Sequence, residues 1–281
     1  MTIALDLCPS EALASVAAGL RAGSIVPYLG PGVAAAGALA TPMTPEALAA
    51  FFGTKVALPK RARGNAWASA QHIESFKHRR TVTAYMDEAF GVPVPPTPFH
   101  ARLAALGLPL IVDSWYTGEM RQALAQHDDW AEVQGITRAG IGEDRWFRFY
   151  GPDGGEIDAR RAAAAATLLY TPHGSTIPAR NFLISDADYV EVLTEIDIQT
   201  PIAECVRERR TGRSFLFAGC RFHDQLLRSY ARQIMKRSSD THYAIVDLQQ
   251  LTRNERRFLD EQNITPIDTP LDTALEQLIA G

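Results

Sequence analysis

The chain has 281 residues, 46% of them hydrophobic and 21% charged, enough for one large domain with a sizeable core. A formal net charge of −4 gives no electrostatic case for nucleic-acid binding, and three scattered cysteines, Cys8, Cys205 and Cys220, suit neither a disulfide framework nor a paired-cysteine zinc site. No stretch reaches the about 18 apolar residues of a membrane span, and residues 1–7 lack a basic-then-apolar leader, so a cytoplasmic protein with no membrane partner is expected.

Helical spacing from Ser10 to Leu20, with Ser10 as cap, leads through Gly23 into a buried strand at Ile25–Leu29. That strand runs into Gly30-Pro31-Gly32-Val33, a turn that lets backbone approach a pyrophosphate or simply reverses the chain. Three helical patterns, Thr44–Phe52, Ala66–Phe76 and Thr81–Phe90, then form a helical excursion over 41–107, closed by a proline-rich connector at 92–98 and a short helix at Phe99–Leu106.

Leu108–Val112 reads as the next strand and Trp115–Leu124 as a helix. Residues 128–166 read as a small insertion, in which Trp130, Trp146, Phe147, Phe149 and Tyr150 suggest an antiparallel hairpin. This insertion is a local core or, alternatively, a lid or contact surface for a second copy or another protein. Strands at Thr167–Tyr170, Ser214–Ala218 and His242–Val246 alternate with helices starting at Asp186, Asp224 and Thr252. Arg207, Arg209, Arg210 and Arg213 read as a solvated helix end, and Asp224 as an N-cap. The pattern predicts a single α/β domain over 1–281, with a Rossmann-like parallel sheet and helices on both faces.

In such sheets ligands sit beyond the carboxyl ends of strands. Four strand ends carry the chemistry here: Gly30-Pro31-Gly32, Asp113-Ser114-Trp115-Tyr116, Pro172-His173-Gly174-Ser175 and Gly219-Cys220-Arg221-Phe222-His223-Asp224. Their order resembles the SIR2 family, in which a Gly-Ala-Gly turn, a Thr-x-Asn-x-Asp strand end, a His-Gly pair and a late Gly-x-Ser-Leu-type turn surround NAD. Ile184–Tyr189 and the strands around Phe215–Gly219 and Tyr243–Val246 extend the resemblance from about Ile25 to Val246.

The resemblance implies NAD as cofactor. It places Gly30, Pro31, Gly32 and Val33 at the diphosphate, Ser114 and Trp115 at the nicotinamide side, Gly174 and Ser175 at the ribose, and Gly219, Cys220 and Arg221 at the adenosine side. His173 matches the family histidine that assists as a base, although a histidine bonded to backbone at a strand end fits equally. Trp115 stands where the family has asparagine and Thr117 where it has aspartate, so the central polar pair is missing; an indole donates one hydrogen bond and accepts none. Arg221, where serine is common, could meet a phosphate or bridge to Asp224 or Asp247.

Cys220 and His223 lack the third group that would make them a nucleophile and base, and His72, His78 and His100 lack metal-ligand spacing, so no zinc is expected. The expected function is binding of NAD or a related adenine nucleotide, without ordinary protein deacylase chemistry, in a sensor or regulatory role. Two alternatives stand beside it. One is an NAD glycohydrolase in which His173 assists and Asp113 steadies developing positive charge. The other is an assembly module on a Rossmann-like scaffold, acting as a homo-oligomer or with a protein partner.

Overall fold

A computed structural model describes residues 8–35, 40–137, 145–195 and 201–281. Strands β1 (Ile25–Leu29), β2 (Leu110–Asp113), β3 (Trp130–Gly135), β4 (Phe147–Tyr150), β5 (Glu156–Ile157) and β6 (Thr167–Thr171) enter the main sheet in the first part of the chain. A two-stranded hairpin, β7 (Gly174–Ser175) and β8 (Asn181–Phe182), follows, and β9 (Ser214–Ala218), β10 (His242–Val246) and β11 (Ile264–Asp268) complete the sheet. Its order is β11-β10-β9-β1-β2-β6-β3-β4-β5. Every neighbouring pair from β11 to β3 is parallel, and β4 and β5 add antiparallel at the far edge. The fold is the expected Rossmann-like α/β architecture.

Side-chain alternation divides the core in two. Ile25, Leu29, Ile111, Leu169, Leu216 and Ile245 face one side, where they meet α1 (Pro9–Arg21), α5 (Pro98–Ala105), α6 (Glu119–Leu124) and α12 (Leu271–Ala280). Val26, Tyr28, Val112, Tyr170, Phe215 and Phe217 face the other. There they meet α2 (Pro45–Lys55), α3 (Ala66–Lys77), α4 (Arg79–Ala89), α8 (Asp186–Glu195), α9 (Glu204–Arg210), α10 (Gln225–Met235) and α11 (Arg253–Glu261). Each fully buried Leu or Phe in these layers contributes roughly 1.5–3 kcal/mol. A short α7 (Ala159–Ala164) leads from β5 to β6.

Several local expectations need correction. The first helix is capped at Cys8, with Pro9 at its first position and Glu11 bonding back to the Cys8 N–H, so Ser10 lies inside it. The helix after β2 begins at Glu119, because Trp115–Gly118 turns to deliver the chain from strand to helix and Gly118 takes a φ of 78°. Trp130–Gly135 does pair antiparallel with β4, but it also pairs parallel with β6 and is part of the main sheet. Residues 138–144 of the expected insertion lie outside the described residues.

The arginine run is only partly solvated: Arg210 is buried, and Arg207, Arg209 and Arg213 are half-buried. Arg209 donates to the carbonyls of Pro109, Ala163, Ala165 and Ala166, and the buried Arg210 donates to those of Gln233 and Ile234, so both tie this helix to the ends of neighbouring elements. Arg79 similarly joins the excursion to the β7–β8 side: it bonds Asp188 at 2.7 Å, Glu74 at 3.0 Å and the Phe182 carbonyl.

Candidate functional site

The sheet changes direction at β1. The chain passes from β1 to β2 on one side, and only much later does β9 pair on the other. This is the switch point at which parallel sheets open a crevice. The turn after β1 and the turn after β9 touch backbone to backbone there. A Cβ on Gly30 would land on the Gly219 carbonyl oxygen, one on Gly32 would sit 2.9 Å from the Gly219 Cα, and Gly219 itself has a φ of 66°. The glycines are therefore demanded by mutual packing.

The N–H groups of this turn have partners within the protein. Gly30 donates to the Ala218 carbonyl at 2.8 Å, Gly32 to that of Gly219 at 3.0 Å, Val33 to Gly30 at 3.2 Å and Ala34 to Pro31 at 3.3 Å. Pro31 has no N–H.

Two cavities open on either side of this contact and share Gly32, Gly219, Cys220 and Arg221 as a common wall. The first, of about 660 Å³, lies beyond β9, β10 and β11 and is rimmed by Asp247, Gln249, Gln250, Asp268 and Thr269. The second, of about 420 Å³, faces the helical excursion and is lined by Tyr28, Met43, Glu46, Trp115, Phe222 and Leu227, among others. His223 Nε2 and Glu46 Oε1, 2.7 Å apart, join the β9 turn to α2 beside the second cavity.

Arg221 bridges to neither Asp224 nor Asp247. Its Nε and Nη2 reach the two carboxylate oxygens of Glu255 at 3.0 and 3.3 Å, and Nη2 also donates to the Gln250 carbonyl. Glu255 is fully buried and accepts further bonds from the N–H of Phe222 and from the N–H and hydroxyl of Thr252. Burial pushes its carboxyl up, but the bonds from Arg221 and Thr252 together outweigh that and hold it at about 2. Sequence reasoning missed this residue, although Thr252-x-x-Glu255 is a capping box legible in the chain. Asp224 caps α10 as expected, accepting from Leu226 N–H at 2.7 Å. Burial pushes the Cys220 thiol far up, which suits a packed thiol and not a nucleophile.

On the other side of β1 the matching strand ends are mostly closed, with only Ser114 and Trp115 among the sequence-predicted residues there reaching the second cavity. Ser114 donates through N–H and hydroxyl to the Leu29 carbonyl. Trp115 commits its indole N–H to the Pro42 carbonyl at 3.1 Å and packs on Phe90 and Tyr116. Asp113 is buried, with Oδ1 accepting from Trp115 N–H and Oδ2 without a protein partner. Burial, then the nearby Glu119, push its carboxyl well above the usual range. Arg121 pairs with the buried Glu132, whose other oxygen accepts from Thr171 at 2.8 Å. Sequence reasoning missed this pair as well.

His173 is enclosed between Tyr189, whose hydroxyl is hydrogen-bonded to its Nδ1 at 2.9 Å, and Tyr230, whose ring centroid is 4.6 Å away. Burial lowers it to about 3, so the ring is neutral. Gly174 has a φ of 81° and packs on Asn181, and the Ser175 hydroxyl donates to the Tyr116 carbonyl. Of the sequence-predicted residues, Gly30, Pro31, Gly32, Ser114, Trp115, Gly219, Cys220 and Arg221 meet at the second cavity. Val33 lies in the core on the opposite face, and Asp113, His173, Gly174 and Ser175 are not among the residues lining either cavity.

Among the described residues, no group of three or more His, Cys, Asp or Glu is placed to hold a metal ion, and no helix is long and apolar enough to cross a membrane. A family model described as a SIR2-like domain matches residues 109–267, which runs from the start of β2 into β11 and leaves β1 and its glycine turn ahead of the matched stretch. No curated protein matches the chain.

Proposed function

This chain belongs to the SIR2-like family, and from that premise we propose that it binds NAD or a related adenine nucleotide across the β1–β9 crevice, without ordinary protein deacylase chemistry, in a sensor or regulatory role. The observation that carries the reading is the pair of cavities meeting over Gly32, Gly219, Cys220 and Arg221 at the switch point. Each has a volume within the range of roughly 300–1,000 Å³ typical of ligand pockets.

The residues present fit such a ligand. Asp247 and Asp268 would accept from ribose hydroxyls in the first cavity, and Trp115, Phe222 and Met43 would meet a flat ring in the second. Bound NAD would bring a cleavable nicotinamide–ribose bond. The groups that would assist its cleavage, His173 and Asp113, are buried away from both linings, which favours binding over turnover.

Calorimetric titration with NAD, ADP-ribose and AMP, paired with NMR of the incubated NAD, tests this. One-site binding with no released nicotinamide is expected. Absence of heat for all three ligands at millimolar concentration would overturn nucleotide binding, and nicotinamide release that disappears in His173→Asn would replace the binding reading with a glycohydrolase.

A further inference from the structure

We propose that Arg221 is the receptor for the phosphate groups of the bound nucleotide and that Glu255, which touches no ligand, is its positioning residue. This rests on the nucleotide-binding reading above and adds to it how the anion is met.

A ligand that spans both cavities passes over Gly32, Gly219, Cys220 and Arg221. Dinucleotide folds commonly meet phosphate with the free N–H groups of the glycine turn. Here Gly30, Gly32, Val33 and Ala34 donate to carbonyls inside the protein, and Pro31 has nothing to donate. Those four N–H groups are therefore not available to the anion, and the full positive charge beside it has to come from a side chain. Among the described lining residues, Arg221 is the one permanent cation in either cavity, and carboxylates surround it: Asp247 and Asp268 in the first, Glu46 in the second.

The guanidinium is held in a fixed pose. Nε and Nη2 are engaged by Glu255 and by the Gln250 carbonyl, which leaves Nη1 as the nitrogen without a protein partner among the described residues. Glu255 cannot swing, since Thr252 and the Phe222 N–H fix it from two further directions. A planar fork locked on one edge presents its remaining N–H groups at a defined angle, so little side-chain freedom is lost when a phosphate oxygen arrives. The Arg221 side chain is 46% exposed, so that edge is reachable from solvent.

The test compares adenosine, AMP and ADP-ribose as ligands by calorimetry. In the unchanged protein, affinity should rise about 10- to 100-fold from adenosine to ADP-ribose, the increment of a charge-assisted contact. Arg221→Gln should remove that increment and leave adenosine within about twofold. Glu255→Gln should remove most of it too, with adenosine again unchanged, and the double variant should lose no more than Arg221→Gln alone. A purely structural Glu255 would instead lower affinity for adenosine and ADP-ribose alike, and that result overturns its positioning role. If Glu255→Gln does not fold, Glu255→Asp, which keeps the charge but withdraws it by one methylene, should reduce the phosphate increment in the same selective way.

Undiminished ADP-ribose binding in Arg221→Gln, or equal binding of adenosine and ADP-ribose by the unchanged protein, overturns the inference while leaving nucleotide binding in place. Failure of every ligand, adenosine included, removes the nucleotide reading and this inference with it.

Discussion

The carboxyl edge of the sheet has two shoulders on either side of β1, built from similar residue types and finished in opposite ways. Toward β9, the turns leave two cavities and a guanidinium with one unengaged nitrogen. Toward β2 and β6, a carboxyl, a histidine and an ion pair are enclosed by neighbouring chain, with Asp113 Oδ2 and His173 Nε2 left without a hydrogen-bond partner among the described residues, while the Trp115 indole is committed to the Pro42 carbonyl where its ring lines the second cavity. The resemblance to SIR2 proteins assigns diphosphate and adenosine contacts to the first shoulder, and to the second both the assisting His173 and the nicotinamide and ribose contacts of Ser114, Trp115, Gly174 and Ser175. Residue type alone does not decide whether a group serves chemistry: what packs over it does.

The largest effect should come from the closed shoulder. His173 is held at about 3 against about 6.5 when unfolded, so the unfolded chain takes up a proton that the native one refuses. The stability of that site is complete above pH 6.5 and lost as pH falls toward 3, by roughly 5 kcal/mol at most. Urea unfolding across this window should show a shallower pH slope in His173→Asn, with nucleotide affinity within about twofold of the unchanged protein. A variant that keeps the slope but loses the ligand would move His173 to the open shoulder.

On the open shoulder, Glu255 at about 2 contributes stability above its ordinary value near 4.5, lost as pH falls toward 2. Glu255→Gln should cost about 3 kcal/mol at pH 7, with acid unfolding below pH 4.5 correspondingly blunted. Next in size, Gly219→Ala should destabilise by about 2–3 kcal/mol, since the new Cβ meets the Val33 nitrogen at 2.5 Å and the φ of 66° is itself strained. It should also weaken ADP-ribose binding, because the common wall of the cavities must shift.

The smallest effect belongs to Asp113. A carboxyl raised well above its ordinary range binds a proton more readily in the native state, so its contribution is present at low pH and is lost as pH rises through the native value. Asp113→Asn imitates the protonated form. It should be within about 1 kcal/mol of the unchanged protein at pH 5 and relatively more stable at pH 8, with unchanged ADP-ribose affinity. Loss of binding in this variant would erase the contrast between the shoulders.

Much of the scaffold is legible in the chain because apolar alternation and turn chemistry agree: Ile25–Leu29, Ser214–Ala218 and His242–Val246 appear where the pattern places them. Trp130–Gly135 was obscured by Glu132 and Gln134, which suggest a strand with one face in water; Arg121 and Thr171 make burial of Glu132 tolerable. Ile264–Asp268 was hidden by Pro266, which a sheet accepts here because β11 is an edge strand paired with β10 alone. The histidine at a strand end was visible as a residue type, but its enclosure depends on Tyr189 and Tyr230, from helices 16 and 57 residues further along, as their numbers show. Glu255 lay in plain view as a helix cap, and nothing local says that a capping carboxylate also grips Arg221.

The position of β9 beside β1 also has a consequence for biosynthesis. By the time residue 195 has left the ribosome, the chain holds every strand from β1 through β2 and β6 to β5, one flank of the sheet. The crevice has only one of its walls until residues 214–223 emerge and the second turn settles against Gly30 and Gly32. A nascent chain therefore reaches ligand competence late, and a nucleotide that binds the crevice would select for chains whose synthesis has passed that point.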